Sequence, residues 1–390
     1  MSASLPLGGM DVTTFLHEYW QKKPLLIRGA FPDFESPLEP NDLAGLACEE
    51  EVESRLVEVR GDRTPWQLHQ GPFDEATFNR LGRQDWSLLV QAVDHWVPEV
   101  AELLEHFTFL PRWRLDDVMV SFAPPGGSVG PHVDNYDVFL LQGSGQRRWQ
   151  LGGLVDEQAP IVEGIDLRIL AHFEVEADQD WVLEPGDMLY IPPRIAHHGV
   201  SESEDCLTYS IGFRAPSMDE MVTSWADYLG EQLSETERYS DADLQPVSHP
   251  GEIDQAALER VRHAMLSALD DPTTMAQWFG RVMTQVRYPD QLIPPEQAPS
   301  VTDVRTHLAA GGELQRTLGS RFAWHGSGDS VTLFADGDGI ACSITLARWL
   351  ADTRPINVDI LACTDAPEIL VQLLANGSLQ WVEESDEEET

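Results

Sequence analysis

The chain has 390 residues, 42% of them hydrophobic, and its 66 acidic against 25 basic side chains give a net charge of -41. This is enough apolar material for two or three cores at roughly 150 residues per domain. No run of about 18 apolar residues is present to span a bilayer, and so acidic a surface repels nucleic acid and draws basic partners, unless a salt-tolerant habitat alone accounts for it.

The first residues lack the basic and apolar regions of a signal peptide. Cys48, Cys206, Cys342 and Cys363 are scattered, with no CxxC pairing, so free thiols in a reducing cytoplasm are expected. Phe15, Leu16, Tyr19 and Trp20 fall at helical spacing behind a cap at Asp11 or Thr13. Pro24 ends that helix, and Leu25-Leu26-Ile27 reads as a short buried strand. Residues 40–110 mix helices and strands. Within them, 85–107 carries Trp86, Val90, Val93, Trp96, Val100 and Leu104 in a helical rhythm.

From Asp117 the pattern becomes strands, at 118–122, 137–142, 146–151, 181–183, 188–191 and 207–213. Pro124-Pro125-Gly126-Gly127 breaks the first, and Gly143-Ser144-Gly145 reads as a hairpin turn. Many short strands with regular turns predict a mainly β domain, a double-stranded β-helix of jelly-roll type. Beyond Arg214 amphipathic helices follow at 218–233, 253–269 and 275–283, then a proline-rich linker at 289–299. Residues 301–382 mix helices and short strands, with a hairpin formed by 322–325 and 330–334. The tail, 383–390, is acidic and expected to be disordered.

The chemistry concentrates at Pro131-His132-Val133-Asp134. On a strand, His132 and Asp134 face the same side. A histidine from the distant block Ile191-Pro192-Pro193-Arg194-Ile195-Ala196-His197 would complete two imidazoles and one carboxylate around a metal. That set suits a non-haem ferrous ion with open positions for co-substrate and oxygen. His197 lies 63 residues after Asp134 and His198 is its neighbour; spacing does not choose between them. His172-Phe173-Glu174 has the same H-x-D/E spacing without the preceding glycine-proline loop, and His172 reads as a half-buried strand histidine. Arg147 and Arg148 point to opposite faces, so one of them could grip the far carboxylate of a dicarboxylate co-substrate. Tyr136 shares the parity of His132 and Asp134, and Trp149 reads as core. A zinc site is compatible but less typical.

Several blocks resemble the bacterial ribosomal oxygenases of the JmjC (cupin-like) class. Residues 15–28 (FLHEYWQKKPLLIR), 129–139 (VGPHVDNYDVF), 142–149 (QGSGQRRW), 184–193 (EPGDMLYIPP) and 209–214 (YSIGFR) are similar to that family's. The resemblance implies an Fe(II)- and 2-oxoglutarate-dependent protein hydroxylase using O2. It places iron on His132, Asp134 and His197, and 2-oxoglutarate on Arg147 and Ser210. It implies hydroxylation of an arginine β-carbon in a basic large-subunit ribosomal protein, or of a histidine as in eukaryotic relatives; Tyr136 and Asp137 are the candidate substrate contacts. It also implies a JmjC/cupin catalytic domain at 1–216, an all-α dimerisation region at 217–290 and a winged-helix-like α+β domain at 300–382, and hence a homodimer. Residues 297–382 hold nine acidic and five basic side chains, so that domain lacks the footprint of DNA binding. Ser128 and the His197-His198 pair depart from the family pattern. A non-oxidative metal-dependent cupin enzyme and a non-enzymatic assembly factor are the competing readings.

Overall fold

Helix α1 (Val12–Glu18) starts where the Asp11 carboxylate accepts the Thr14 N–H, 2.9 Å away. This satisfies one of the donors that a helix N-terminus leaves open. Its one buried residue, Phe15, sits among Tyr19, Trp20, Phe109, Phe139 and Tyr190. The computed structural model describes residues 5–60, 66–156, 158–246, 248–352 and 354–382; the acidic tail at 383–390 lies outside them. The chain divides into two units, Met1–Ala215 and Pro216–Thr390.

The first unit holds eleven strands among its described residues: β1 (Leu25–Ile27), β2 (Ser54–Val59), β3 (Trp66–Gln70), β4 (Trp86–Val90), β5 (Leu115–Ala123), β6 (Val138–Ser144), β7 (Arg147–Leu154), β8 (Asp180–Leu183), β9 (Met188–Ile191), β10 (Ile195–Ser201) and β11 (Cys206–Phe213). Helices α2 (Pro40–Leu46), α3 (Glu75–Arg80) and α4 (Pro98–Glu102) complete it. An eight-stranded sheet runs β1-β9-β6-β11-β5-β4-β2-β3, and a three-stranded sheet runs β10-β7-β8.

The large sheet is buried on both faces at β6, β9 and β11, which explains their near-continuous apolar runs. Phe139, Leu141, Met188, Tyr190, Tyr209 and Ile211 pack with the N-terminal helical segments. Their strand neighbours Val138, Leu140, Leu189 and Ile191 face Trp149, Leu151 and Leu183 of the small sheet. The space between the two sheets is the barrel interior.

Two sequence expectations change here. Gly143-Ser144-Gly145 does not close a hairpin: β6 pairs with β9 and β11, whereas β7 pairs with β10 and β8. The turn carries the chain from one sheet to the other. Gly145 takes φ +61°, and a Cβ there would lie 2.9 Å from the Cys206 nitrogen. The helical rhythm at 85–107 is also not a helix. Trp86–Val90 is a buried central strand, and short 3-10 turns surround the five-residue α4, which opens on Pro98. Apolar spacing cannot separate a buried strand from a helix over so short a run.

The second unit contains α5 (Met218–Gln232), α6 (Gln255–Leu269), α7 (Pro272–Thr284), α8 (Val301–Ala309), β12 (Leu314–Arg316), β13 (Phe322–His325), β14 (Ser330–Ala335), β15 (Asp338–Ser343), α9 (Ile344–Ala351), α10 (Ala366–Ala375) and β16 (Leu379–Trp381). The expected hairpin is β13–β14, extended by β15. Trp225 of α5 meets Trp278 of α7 with ring centroids 5.3 Å apart. The Phe334 ring lies over Gly280, where an added Cβ would come within 2.3 Å of it. Residues 289–299 hold one short turn, Pro289–Gln291; Leu292 and Ile293 lie against Gly377. Helix α6 buries none of its residues.

Candidate metal centre

The loop after β5 is fastened to β10. Gly126 N–H donates to Ser201 O at 2.9 Å and Ser201 N–H to Gly127 O at 3.0 Å. Gly130 then turns with φ +80°, and His132 and His197 exchange both backbone hydrogen bonds, at 3.0 and 2.9 Å. Only this isolated bridge is strand-like. Residues 133–137 are irregular, so the regular strand assumed for His132 to Tyr136 is absent, and Asp134 reaches the same side by a bend. His132 and His197 have ring centroids 4.2 Å apart, and His197 Nε2 lies 3.5 Å from Asp134 Oδ2. One donor atom from each of His132, Asp134 and His197 falls within 4.8 Å of the others.

Both imidazoles are oriented by their other nitrogen. His132 Nδ1 lies 2.9 Å from Gly130 O, and His197 Nδ1 lies 3.0 Å from Ile195 O. A carbonyl only accepts, so each Nδ1 carries the proton and each Nε2 lone pair is left for a metal. Burial, reinforced by the neighbouring His197, pulls His132 down to about 4, so it is neutral at pH 7. Burial alone would raise the Asp134 carboxyl; the close approach of His197 and His132 overcomes it and holds the group at about 2. A neutral His132 imidazole beside an ionised carboxylate is a protonation state that suits a metal.

The structure separates His197 from His198. In β10, His197 stands opposite Leu151 and faces the barrel interior, while His198 stands opposite Gln150 on the other face. His198 Nε2 lies 3.0 Å from Ser128 Oγ, and its ring meets Phe173 edge-on at 5.9 Å. The two departures from the family pattern therefore bond to each other. The same alternation separates the arginines. Arg148 is exposed and bidentate to Asp180, at 2.7 Å for both bonds. Arg147 is buried, 5.8 Å from the Trp149 ring, and its Nη2 is a buried donor with no partner. Trp149 is core, as read from the sequence. Its ring lies over Gly199 and 6.0 Å from that of His197, and its Nε1 is also buried and unpartnered. An orphaned guanidinium nitrogen fits an anionic ligand lying between it and the trio. Ser210 stands opposite Leu140 across β11–β6, which turns it toward the barrel interior.

Tyr136 is 43% exposed and bonds the Asp134 carboxylate. Burial, and then the charges of Asp134 and Asp117, push its phenol pKa upward. Asp137 does not contact this space. It is fully buried, and its carboxylate accepts from Tyr190 (2.7 Å), Gln21 (2.9 Å) and Arg114 (3.1 Å); it ties the N-terminal segment to the large sheet. His172 is exposed and outside any strand, because the segment between β7 and β8 is irregular there. Sequence reasoning put His197 and His198 on a strand but gave it no bounds; it runs Ile195–Ser201. The same reasoning missed Asp116 and Asp117, whose charges act on Tyr136.

Comparison with known proteins agrees with this geometry. A JmjC domain model matches residues 102–221 and a ROXA-like winged helix model matches 267–380, with an AraC-like ligand binding domain model over 175–279. The ribosomal protein uL16 3-hydroxylase of Escherichia coli (strain K12) is 41% identical over 307 residues, covering 79% of this chain and 80% of that protein. The chain belongs to the JmjC-class ribosomal oxygenases. A probable ribosomal oxygenase of Haemophilus influenzae is 33% identical over 95% of this chain and 94% of its own. The structure of Escherichia coli YcfD, a ribosomal oxygenase, in complex with cobalt and 2-oxoglutarate superposes with a TM-score of 0.84 at 36% identity, covering 96% of this chain and 99% of that one. The match to this ribosomal oxygenase spans both units, and the ROXA-like model takes in α7.

Proposed function

We propose that this ribosomal oxygenase hydroxylates an arginine, at the β-carbon, of a basic large-subunit ribosomal protein, using Fe(II), 2-oxoglutarate and O2. The observation that carries the reading is the convergence of His132, Asp134 and His197 on the same barrel face as the buried Arg147, whose Nη2 has no partner. When bound, the metal and co-substrate supply the oxidising chemistry, with 2-oxoglutarate converted to succinate and carbon dioxide. The protein's own residues supply position and dryness. His132 and His197 present their Nε2 atoms, and Asp134 presents a carboxylate. Arg147 holds the far carboxylate of 2-oxoglutarate, with Ser210 facing the same interior. Tyr136, exposed and within the field of Asp134 and Asp116, meets a cationic side chain with a ring face and negative charge. The acidic surface brings the basic substrate in.

The test is incubation with Fe(II), 2-oxoglutarate and a peptide from the ribosomal target, with the product weighed and fragmented. The expected result is a gain of one oxygen on arginine, lost on chelation and restored by Fe(II). Addition on histidine supports the alternative substrate. Keto-acid turnover that never appears under active controls leaves the non-oxidative cupin reading. The exposed Leu258, Val261, Met265 and Leu266 of α6 support a second copy of this chain as the partner of that helix. In the same reading the winged-helix region contacts protein and not DNA.

A further inference from the structure

Arg147 is 4% exposed, yet among the described residues no carboxylate lies within ion-pair distance of it. A buried cation left without a partner is costly. Its one hydrogen-bond acceptor among those residues is sulfur: Nε donates to Cys206 Sγ at 3.4 Å. Cys206 is fully buried on β11, in the opposite sheet, so this bond crosses the barrel interior. A second donor converges on the same sulfur, Gln142 Nε2 at 3.4 Å. Gln142 is itself fixed, donating to Ser144 O (2.7 Å) and Leu207 O (3.2 Å) and accepting from Thr208 Oγ1 (3.2 Å).

We propose that Cys206 is a positioning residue for 2-oxoglutarate: its sulfur takes the Arg147 Nε–H and fixes the guanidinium so that Nη2 is left for the co-substrate's far carboxylate. The inference rests on the reading of Arg147 given above. A carboxylate in place of the sulfur would form the bidentate pair that arginine favours and compete with the ligand for the same charge. A sulfur is a weak acceptor. It sets the orientation of the guanidinium and leaves most of its charge unspent. Burial raises the Cys206 thiol, and Arg147 together with Gln142 and Ser201 more than reverses this, which strengthens the sulfur as an acceptor. The reach is also consistent. Arg147 stands opposite Ser201, four residues along β10 from His197. That is about 13 Å of strand rise, a gap that an arginine side chain and a five-carbon dicarboxylate fill together.

The experiment measures kcat and KM for 2-oxoglutarate in the full-length iron-loaded enzyme. Cys206→Ala is expected to raise this KM by a factor on the order of ten, the worth of one hydrogen bond to a charged group, with kcat at saturation within about twofold. Cys206→Ser, which keeps an acceptor, restores most of the KM; Cys206→Val, which keeps volume without one, does not. An unchanged KM in both the Ala and Val variants overturns the proposal, as does rescue by Val, which would assign Cys206 to packing alone. The Ser–Val comparison stands even where Ala fails to fold. Arg147→Lys is the separate control: if it leaves 2-oxoglutarate use intact, the reading of Arg147 fails, whatever Cys206 does.

Discussion

His197 and His198 are neighbours with opposite tasks, and substitution should separate them. His197→Ala removes one of three converging donors; iron affinity and hydroxylation are expected to fall by at least a hundredfold, measured by metal titration and product mass. His198→Gln keeps a group able to bond Ser128 Oγ on the far face and should retain activity within a few-fold. The protonation of His132 gives a second prediction. Its imidazole is held at about 4 in the folded, metal-free protein, against an ordinary 6.5. Between those values the unfolded chain binds a proton that the folded chain refuses, so stability rises with pH across this window and is lost as pH falls through it. His132→Gln should flatten that slope, seen as the difference between the two proteins' melting temperatures from pH 6.5 down to 4. The residue types of this centre were legible in the sequence because a metal restricts its ligands so tightly. The choice of His197 was legible only through the resemblance, because parity needs a register and the sequence does not show which strand β10 pairs with. Asp137 shows the same limit: its acidic type suits a cationic substrate, but residue type says nothing about facing where the chain at 133–137 is irregular.

The elements show why strands near the ligands were readable and those before them less so. Val118 to Phe122 and Leu207 to Phe213 are β-rich runs each followed within three residues by a proline, and both became strands. Residues 86–90 form an equally buried strand, but Val93, Val100 and Leu104 beyond it continue an accidental 3.6-residue rhythm. The handover at Gly143-Ser144-Gly145 was invisible because a turn's residues specify its bend and not which sheet receives the next strand. Phe139 tests the layer that this topology builds. Its ring lies 4.9 Å from Tyr190, 5.0 Å from Phe107 and 5.7 Å from Phe213. Phe139→Ala should cost about 3–5 kcal/mol, read as a lower denaturation midpoint.

For the molecule as a whole, the charge of -41 makes ionic strength the natural variable. At about 0.1 M salt the screening length is near 10 Å, so capture of a basic substrate should slow steeply with added salt. The expected outcome is a KM for the protein substrate that climbs with salt while the KM for 2-oxoglutarate holds nearly steady. Self-association should behave differently, because the α6 face is apolar. Sedimentation is expected to give twice the 43.6 kDa chain mass, and Met265→Glu with Leu258→Glu to give the single mass.

The reciprocal pair of backbone bonds between His132 and His197 has a consequence beyond holding two rings together. Those amides belong to a latch one residue wide, with irregular chain on one side of it. Loading the centre should therefore close the latch, and emptying it should let the two segments breathe apart. Hydrogen–deuterium exchange at these two amide positions would then report metal occupancy directly, slowing on addition of the ion before any substrate is present.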